Sequence, residues 1–463
     1  MTEFSWTKNW YPIFPLSYID PSVPTSITIL DKKLVIWRDK NDKWSVMDDQ
    51  CPHKLAQLSK GTIKEDGTLM CRHHGWCFNG EGQCTTIPML VGNEALETAC
   101  NSLRSQVKIY PTQINQGLLW VWPDNSITPF EDSNNKQPAT IPECGLDSNS
   151  TDWYMSEVPV GYTVSLESSF DPSHAQFLHE GIAGFSPEKT VPISRFETVG
   201  EISAETGFTL KHTGYNSVNQ DMDAMRQFTP PCCNTTIYEY TNGAKFLFQL
   251  YFIPTKPGYC RYIGKVISNQ NFSSNNILLN SLPKNLRTGF SHLFNYKLSD
   301  QNLSIMHSQE VIQSTLDQSW NKAYFLPSPA DLGIITFRKW LDEFANNGPF
   351  SENHNNNKYQ ELTDEQLYDR WYRHTQYCPS CRSAVIFLDK LQKYGQILTM
   401  ILVVITLIVI LIPISIKWGI VSTILAIIII LLSNKIDDIR YLFMSSLPKK
   451  GLPIVNLYTD IKK

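Results

Sequence analysis

Two short cysteine–histidine motifs constrain this chain more than any other feature of its sequence. A C-x-H motif begins at Cys51, a C-x-x-H motif begins at Cys71, and 17 residues lie between the two motifs. Two thiolates and two imidazoles can close a tetrahedral zinc site. One cysteine and one histidine in each loop also suit a two-iron cluster, in which the cysteines bind one iron and the histidines the other. This pairing favours a [2Fe–2S] cluster with four candidate ligands: Cys51, His53, Cys71 and His74.

The segments around these loops predict an all-β domain over residues 1–125. Short runs of β-branched and aromatic residues alternate with turns that contain Asp, Lys and Asn. The predicted strands are Ile27–Leu30, Leu34–Trp37, Trp44–Met47, Val107–Tyr110 and Leu118–Trp122. Mixed strand and helix signals follow and predict an α+β domain over residues 150–390.

The two loops resemble those of a known family. The sequences CPHKLA from Cys51, CRHHGW from Cys71 and FNGEG from Phe78 are similar to the Rieske domain of the pheophorbide a oxygenase family. His73 competes with His74, but the C-x-x-H spacing and the Gly-Trp that follows favour His74. The resemblance implies a Rieske [2Fe–2S] domain followed by a helix-grip-like domain with a mononuclear non-haem Fe(II). It also implies a ferredoxin-type electron donor and a homotrimer.

A second group of candidate ligands lies between Glu167 and His179. Two histidines and a carboxylate form the facial triad of oxygen-activating iron. His174 and His179 are about 140° apart around an ideal helix, so they converge only if the helix is irregular or one lies beyond its end. The order E-x3-D-x2-H-x4-H is similar to that of the family, which implies that both histidines bind iron. Asp171 would bridge to a cluster histidine of a neighbouring subunit, or it caps a helix. Glu167 is expected to be structural or to support the iron ligands without binding the metal.

The third iron ligand is the position at which the chain departs from the family. The resemblance places an Asp seven residues before a Gln, and the position seven residues before Gln309 is Asn302. An amide oxygen can coordinate a cation but carries no charge, so it should bind more weakly. We predict Asn302 as the ligand. Asp300, reached by a local shift, is the alternative, and an impaired iron site is the third possibility.

A C-x-x-C dithiol at Cys378 and Cys381 lies shortly before the apolar C-terminal region. One such pair without a second pair is weak evidence for zinc. The run from His374 to Cys381 resembles the tail of pheophorbide a oxygenase and of its protochlorophyllide-linked and plastid-import-associated relatives. We interpret the dithiol as a candidate redox switch, the alternative being two inert thiols on a helix.

Two uncharged runs predict a membrane anchor over residues 391–463. Residues 397–416 are uncharged, enough to cross a hydrocarbon core of about 30 Å as a helix, and residues 418–432 form a second, shorter run. Lys417 alone is predicted to lie in the loop between two helices. The flanking basic residues are Lys390, Lys393, Lys435, Arg440, Lys449 and Lys450. The positive-inside rule therefore places the catalytic body on the cytoplasmic or stromal side of a thylakoid or plasma membrane.

Charge and cysteine content exclude other classes of protein. A net charge of −4 and a pI near 6.2 argue against a nucleic-acid partner. Eleven cysteines, several beside histidines, indicate metal ligands in a reducing compartment rather than a disulfide framework. The N-terminus shows no signal or transit peptide pattern. That feature, with the abundance of Asn, Lys and Ile, suits a cyanobacterial member of the family.

These features together predict a membrane-bound Rieske oxygenase. It would use O₂ and electrons from a reduced carrier to oxygenate a tetrapyrrole, such as pheophorbide a or a related chlorophyll intermediate. The alternative is a membrane-anchored Rieske protein for electron transfer or redox regulation, without oxygenase activity. Iron content separates the two, because the enzyme needs about three irons per chain and the alternative about two.

Overall fold

A computed structural model describes residues 4–142, 149–182, 184–270, 280–350, 359, 361–411 and 416–447. The chain divides into two compact units. Unit 1 comprises Met1–Phe272 and Ile305–Glu361, and unit 2 comprises Ser273–Ser304 and Leu362–Lys463. The domain boundaries expected from the sequence stay predictions.

Short antiparallel strands form the N-terminal part of unit 1, as the sequence predicts. They are β1 Tyr11–Pro15, β2 Thr25–Ile29, β3 Lys32–Arg38, β4 Trp44–Asp48, β5 Thr62–Ile63, β6 Leu69–Met70, β7 Cys77–Phe78, β8 Cys84–Thr86, β9 Ile109–Tyr110, β10 Thr112–Asn115 and β11 Leu118–Val121. Their sheet orders are β1-β11-β10, β2-β3-β4-β9 and β5-β6-β7-β8. Two helices accompany them, α1 Asn93–Cys100 and α2 Pro129–Asn134.

A hydrophobic core lies beneath the sheet formed by β5 to β8. Trp37, Leu69 and Phe78 are fully buried in it, and they pack with Cys51 and Cys71. The two predicted cluster loops therefore start from a rigid apolar base. This placement keeps both thiols away from water.

The second part of unit 1 is built on one antiparallel sheet. Its strands are β12 Asn149–Ser150, β13 Tyr154–Val158, β14 Phe196–Ser203, β15 Gly207–Thr213, β16 Asp223–Thr229, β17 Cys233–Glu239, β18 Lys245–Lys256 and β19 Tyr259–Ser268. The order is β12-β19-β18-β17-β16-β15-β14, and β13 pairs with β19 beside β12. The α+β class predicted for this region is confirmed.

Helices cover the sheet through an aromatic core. They are α3 Tyr162–Phe170, α4 Ala175–Leu178, α5 Lys284–Thr315 (its later part), α6 Trp320–Ala323 and α7 Leu332–Phe344. The ring of Phe170 at the end of α3 lies 5.2 Å from that of Phe208 and 5.6 Å from that of Phe337. Trp340 of α7 lies 4.8 Å from Phe228 of β16. These contacts fix α3 and α7 against the sheet.

Unit 2 is helical in the part of the chain that the structure describes. It contains the first part of α5, α8 Asp364–Leu367, a π-helical turn at Trp371–Thr375, α9 Pro379–Leu411 and α10 Ile416–Leu442. Both α9 and α10 are long and apolar enough to cross a membrane. Lys417 lies in the first turn of α10, so its predicted position in a loop is wrong. Residues 412–415, predicted as the end of the first span, lie outside the described residues.

The apolar helices expose their hydrophobic side chains along most of their length. The exposed fractions of Ile410, Leu411 and Ile416 are 70%, 81% and 83%. Polar contacts between the two helices include the hydroxyls of Thr406 and Ser422, which lie 2.7 Å apart, and an ion pair between Asp389 and Arg440. An exposed apolar surface of this kind is typical of a region that contacts a membrane or another protein.

Gly333 provides a test of the α3–α7 contact. A Cβ atom at this position would overlap the carbonyl oxygen of Phe170. Gly333→Ala should therefore lower the free energy of unfolding, by about 1–3 kcal/mol for overpacking. At an unhindered helical position, a Gly→Ala substitution would instead raise the free energy of unfolding by up to about 1 kcal/mol. The sign of the change in thermal stability decides between the two, and a higher melting temperature would contradict the close approach.

Candidate metal centres

The two cluster loops have the same backbone structure. In each loop the N–H of the cysteine donates to the carbonyl five residues later, which belongs to Ala56 or Trp76, at 2.8 Å. The carbonyl of the cysteine accepts from the residue four positions later, Leu55 or Gly75. These two residues have positive φ angles of 60° and 74°. The loops are therefore local turns that each present one cysteine and one histidine in the same way.

The thiols and the imidazoles of these loops form separate pairs. Cys51 and Cys71 are buried and in hydrogen-bonding contact with each other. His53 is exposed, and its ring centroid lies 4.5 Å from that of His74, which is half-buried. Trp76 stacks on His53 at 4.9 Å with an interplanar angle of 6°. The structure thus brings together the four residues that the sequence predicts.

This arrangement fits a two-metal cluster better than one zinc ion. Around one zinc, the ligand atoms would lie within roughly 4 Å of one another. Within the part of the chain that the structure describes, one group of three or more His, Cys, Asp or Glu side chains has ligand atoms that all lie within 4.8 Å of one another. That group contains none of these four residues. Burial raises the pKa of Cys51 to about 11, so a thiolate there needs cationic metal beside it. A buried cysteine pair and an outer histidine pair suit the two irons of a [2Fe–2S] cluster.

His174 and His179 flank the one-turn helix α4. His174 is its N-cap residue and His179 its C-cap residue, with a φ of −102° and a ψ of 24°. Their ring centroids lie 5.3 Å apart at 72°. Because both residues lie beyond the ends of a four-residue helix, the 140° separation of an ideal helix does not apply. The rings converge as two ligands of one metal would.

Asp171 organises the turn that leads to His174. Its carboxylate accepts from the backbone N–H of Ser173 at 2.8 Å and from the Ser173 hydroxyl at 2.6 Å. Nδ1 of His174 lies 3.6 Å from the carboxylate. Burial alone would raise the pKa of Asp171, but the contact with His174 and the hydrogen bonds from Ser173 outweigh it and lower the pKa. The helix-capping role considered for Asp171 is therefore wrong, because the N-cap residue of α4 is His174. Asp171 instead follows the last residue of α3, and its side chain closes the turn at Ser173.

Strands of the large sheet hold the end of α3 just before Asp171. Arg226 donates to the carbonyl of Ser169 at 2.8 Å, and Asn234 donates to the Ser169 hydroxyl at 2.8 Å. Nε of Arg226 also donates to Nε2 of His212 at 3.0 Å. Burial and the charge of Arg226 lower the pKa of His212 to about 3. The neutral imidazole therefore serves as an acceptor that orients Arg226.

The other end of α3 is held by α5. Both carboxylate oxygens of Glu310 accept from the N–H of Gly161, at 2.9 and 2.8 Å. Within α3, Glu167 forms a buried ion pair with Arg338 of α7 and accepts from Gln309 at 3.3 Å. Glu167 is thus structural, as expected. The sequence analysis missed Glu310, because the contact joins residues 149 positions apart.

Asp300 and Asn302, the two candidates for the third ligand, lie on the part of α5 that belongs to unit 2. Asp300 is buried and forms ion pairs with Arg370 at 2.5 Å and Arg373 at 2.9 Å. Burial alone would raise the pKa of Asp300, but the charges of the two arginines outweigh it and lower the pKa. Both its oxygens are engaged, which argues against Asp300 as a ligand. The amide nitrogen of Asn302 donates to the carbonyl of Leu298 at 3.2 Å.

The dithiol of the tail is buried together with two histidines. Cys378 and Cys381 are 1% and 0% exposed. Their sulfur atoms lie close to ring nitrogens of His292 and His374. His374 belongs to the sequence run that contains the dithiol and could have been included. His292 lies 86 residues before Cys378, and no local pattern identifies it.

The burial of the Glu310 carboxyl group predicts a pH-dependent stability. Burial raises the pKa of Glu310 from 4.5 to about 7. Because the pKa of Glu310 is higher in the folded than in the unfolded protein, protonation of this group stabilises the folded state. The stabilisation is complete below the pKa of the unfolded protein and is lost as the pH rises through 7. The shift corresponds to about 3 kcal/mol at most. Glu310→Gln should therefore flatten the fall in thermal stability of the full-length protein between pH 5 and pH 7.5, as scored by circular dichroism.

The control for this experiment is Glu94→Gln, which removes an exposed carboxylate in α1. That variant should keep the pH dependence of the wild type. An unchanged slope in Glu310→Gln would contradict the assignment of the effect to Glu310.

Comparison with known proteins identifies the family to which this chain is related. A model of the Rieske [2Fe-2S] domain matches residues 9–111, and a model of pheophorbide a oxygenase matches residues 228–320. Pheophorbide a oxygenase of Oryza sativa subsp. japonica is 31% identical over 415 residues, which are 84% of this chain and 75% of that protein. Flavonoid 8-hydroxylase 2 of Ocimum basilicum is 30% identical over 423 residues, 87% of this chain and 78% of that protein.

Solved structures show the same fold. The crystal structure of dicamba monooxygenase bound to dicamba has a TM-score of 0.55 and 17% sequence identity, and it covers 74% of this chain and 98% of its own. The likeness extends over both the Rieske domain and the α+β domain. The chain therefore belongs to the pheophorbide a oxygenase family of Rieske oxygenases, enzymes that combine a [2Fe–2S] cluster with a mononuclear non-haem iron.

Proposed function

We propose that this chain is a membrane-anchored oxygenase of a tetrapyrrole, with pheophorbide a or a related chlorophyll intermediate as the first candidate substrate. The observation that carries the proposal is the pair His174 and His179. Their rings converge beside Asp171 at a turn that the sheet and two helices hold in place. A protein that only transferred electrons would need the cluster and not this second centre.

The cluster is proposed to be held by the buried thiols of Cys51 and Cys71 and by the imidazoles of His53 and His74. The imidazoles lie toward the surface and the thiols toward the core. Electrons from the ferredoxin-type donor would therefore enter and leave through the histidine side. Neutral imidazole ligands also make such a cluster easier to reduce than one bound by four thiolates.

The mononuclear iron is proposed to be held by His174, His179 and Asn302. When bound, this iron supplies the dioxygen activation that organic side chains cannot provide. Asp171 fixes the orientation of His174 through the 3.6 Å contact. It is also the group proposed to meet a cluster histidine of a neighbouring subunit in a homotrimer. Asn302 is supported by its family position and by the engagement of Asp300 with two arginines.

The membrane anchor is proposed to be the pair α9 and α10. Both are long enough to span a bilayer, and their apolar side chains face outward. The basic residues that flank them support a catalytic body on the cytoplasmic or stromal side. An anchor of this kind would hold the enzyme where an apolar tetrapyrrole partitions.

The substrate class rests on the relatives. The rice protein is named for pheophorbide a, whereas the basil protein of similar identity is named as a flavonoid hydroxylase. Both names describe oxygenation of a large conjugated ring system. The protein that transfers electrons without oxygenation stays the second candidate, favoured by the uncharged residue at Asn302.

Iron content and turnover test the proposed function. The full-length protein in detergent should contain about three irons per chain and show the EPR signal of a histidine-ligated cluster. His174→Ala should remove about one iron and leave the signal, because the two centres have separate ligands. Reduced protein given pheophorbide a, protochlorophyllide or a flavone should consume O₂ with only its true substrate.

The chain offers a matched control for the cluster. His74→Ala should abolish the EPR signal, whereas His73→Ala, which changes its exposed neighbour, should retain it. About two irons in the wild type, with no loss in His174→Ala, would instead establish the electron-transfer protein.

Substitution of Asn302 tests the third ligand. Asn302→Asp should retain the mononuclear iron about tenfold longer against a chelator, since an anionic ligand adds charge attraction worth roughly 1.4 kcal/mol or more. Asn302→Ala should lose this iron, with the cluster signal unchanged. Asn285→Asp, which adds the same charge at an exposed position of α5, is the control. Iron retained in full by Asn302→Ala would exclude Asn302 as a ligand.

A further inference from the structure

The tail dithiol lies in a cluster of four buried potential ligands. The cluster consists of His292 from α5, His374 from the π-helical turn, and Cys378 and Cys381 at the start of α9. All four side chains are at most 6% exposed. One nitrogen or sulfur atom from each lies within 4.8 Å of the other three.

The distances are those of a tetrahedral metal site. Nδ1 of His292 lies 3.2 Å from Nε2 of His374, 3.3 Å from Sγ of Cys381 and 3.7 Å from Sγ of Cys378. Nε2 of His374 lies 3.4 Å from Sγ of Cys381. Zinc bonds of about 2.0–2.1 Å to nitrogen and 2.3 Å to sulfur place the ligand atoms of a regular tetrahedron roughly 3.3–3.8 Å apart.

Hydrogen bonding does not account for this convergence. A neutral imidazole nitrogen carries either one hydrogen or one lone pair, so Nδ1 of His292 can form one good hydrogen bond. It nevertheless approaches three potential partners: His374, Cys378 and Cys381. A cation at the centre satisfies all of these lone pairs at once. Two thiolates would also neutralise a divalent charge in this buried position.

The geometry points to a structural zinc site formed by His292, His374, Cys378 and Cys381. A tetrahedral set of two sulfur and two nitrogen ligands is typical of zinc. The two-residue spacer between the cysteines is the usual chelating loop of such sites. The site is closed, since four protein ligands leave no position for a substrate. It shares no ligand with either proposed iron centre.

The surrounding structure supports this arrangement. Gly289, one turn before His292, has no room for a Cβ atom because the carbonyl of Ser380 and the side chain of Ala384 lie against it. This close approach brings α5 to the start of α9. The hydroxyl of Tyr296 lies 3.6 Å from Sγ of Cys381, and the guanidinium of Arg370 lies 3.9 Å above the Tyr296 ring.

The zinc would have a defined mechanical role. The segment from Arg370 to Cys381 is already joined to α5 by the ion pairs of Asp300. The metal would add a second link between the same two segments. The first link is at Asp300, and the second would be at His292. It would fix the first part of α5 to the base of the apolar helix α9. Thiolates committed to zinc are not available for the redox switching that the sequence suggests for the dithiol.

Metal analysis of the full-length protein in detergent tests the site. After a wash with EDTA, the wild type should retain about one zinc per chain in addition to its iron. Cys378→Ser with Cys381→Ser should lose this zinc, keep the iron and the cluster EPR signal, and melt on the order of 5 °C lower. Cys100→Ser, which removes one thiol of another close pair (Sγ to Sγ 3.3 Å), should keep the zinc.

Thiol labelling provides a readout that needs no variant. In wild-type protein denatured without reductant, Cys378 and Cys381 should react with iodoacetamide, as measured by peptide mass spectrometry. Wild type without zinc after the wash, or a Cys378–Cys381 disulfide that blocks alkylation, would overturn the proposal and favour a redox dithiol. Zinc retained by the double variant, or iron lost from it in place of zinc, would also overturn it.

Discussion

Glu167 and Arg338 form a buried ion pair that joins α3 to α7 in the iron-binding domain. Burial raises the pKa of Glu167, and the charge of Arg338 acts against that rise. The guanidinium also donates to Tyr324, and Gln309 of α5 donates to Glu167. Loss of one partner from such a pair costs about 3–5 kcal/mol, because the remaining charge stays buried. The position of α3, and therefore of the turn from Asp171 to His179, depends on this network.

The two proposed iron centres differ in how their residues are buried. At the cluster, the sheet core encloses the thiols and leaves the imidazoles toward solvent, where an electron donor can approach. At the second centre, a one-turn helix turns two histidines toward each other while buried groups from the sheet hold the preceding residue Ser169. With the proposed ligands, electrons would enter at an accessible edge, and the oxygen-activating site would rest on a rigid scaffold.

The tail of the chain is more than a connection to the apolar helices. Two arginines compensate the charge of Asp300, and the histidine that follows them meets the dithiol and His292. The segment from Arg370 to Cys381 thus contacts α5 at two positions, Asp300 and His292. Its charged and sulfur-bearing residues are buried, which explains why they would be costly to change.

Motifs within a few residues of one another could be predicted from the sequence. The two cluster loops are local turns, so their spacing alone identified Cys51, His53, Cys71 and His74 as residues that come together. The sequence predicts that His174 and His179 converge only if the helix is irregular or one of them lies beyond its end. This condition is met because α4 has only four residues and both histidines flank it. The two apolar helices were also predicted, although Lys417 proved to lie within the second.

Only the tertiary structure decided which distant residues meet. Asp300 and Asn302 differ by two positions, and the sequence favours Asn302 only through its spacing from Gln309. The arginines that engage Asp300 lie 70 and 73 residues further along the chain. His292 joins the dithiol, and Glu310 holds Gly161, across 89 and 149 residues. Such pairs leave no periodic or spacing signal, because a buried charge or ligand is matched by whichever side chain the packed helices bring beside it.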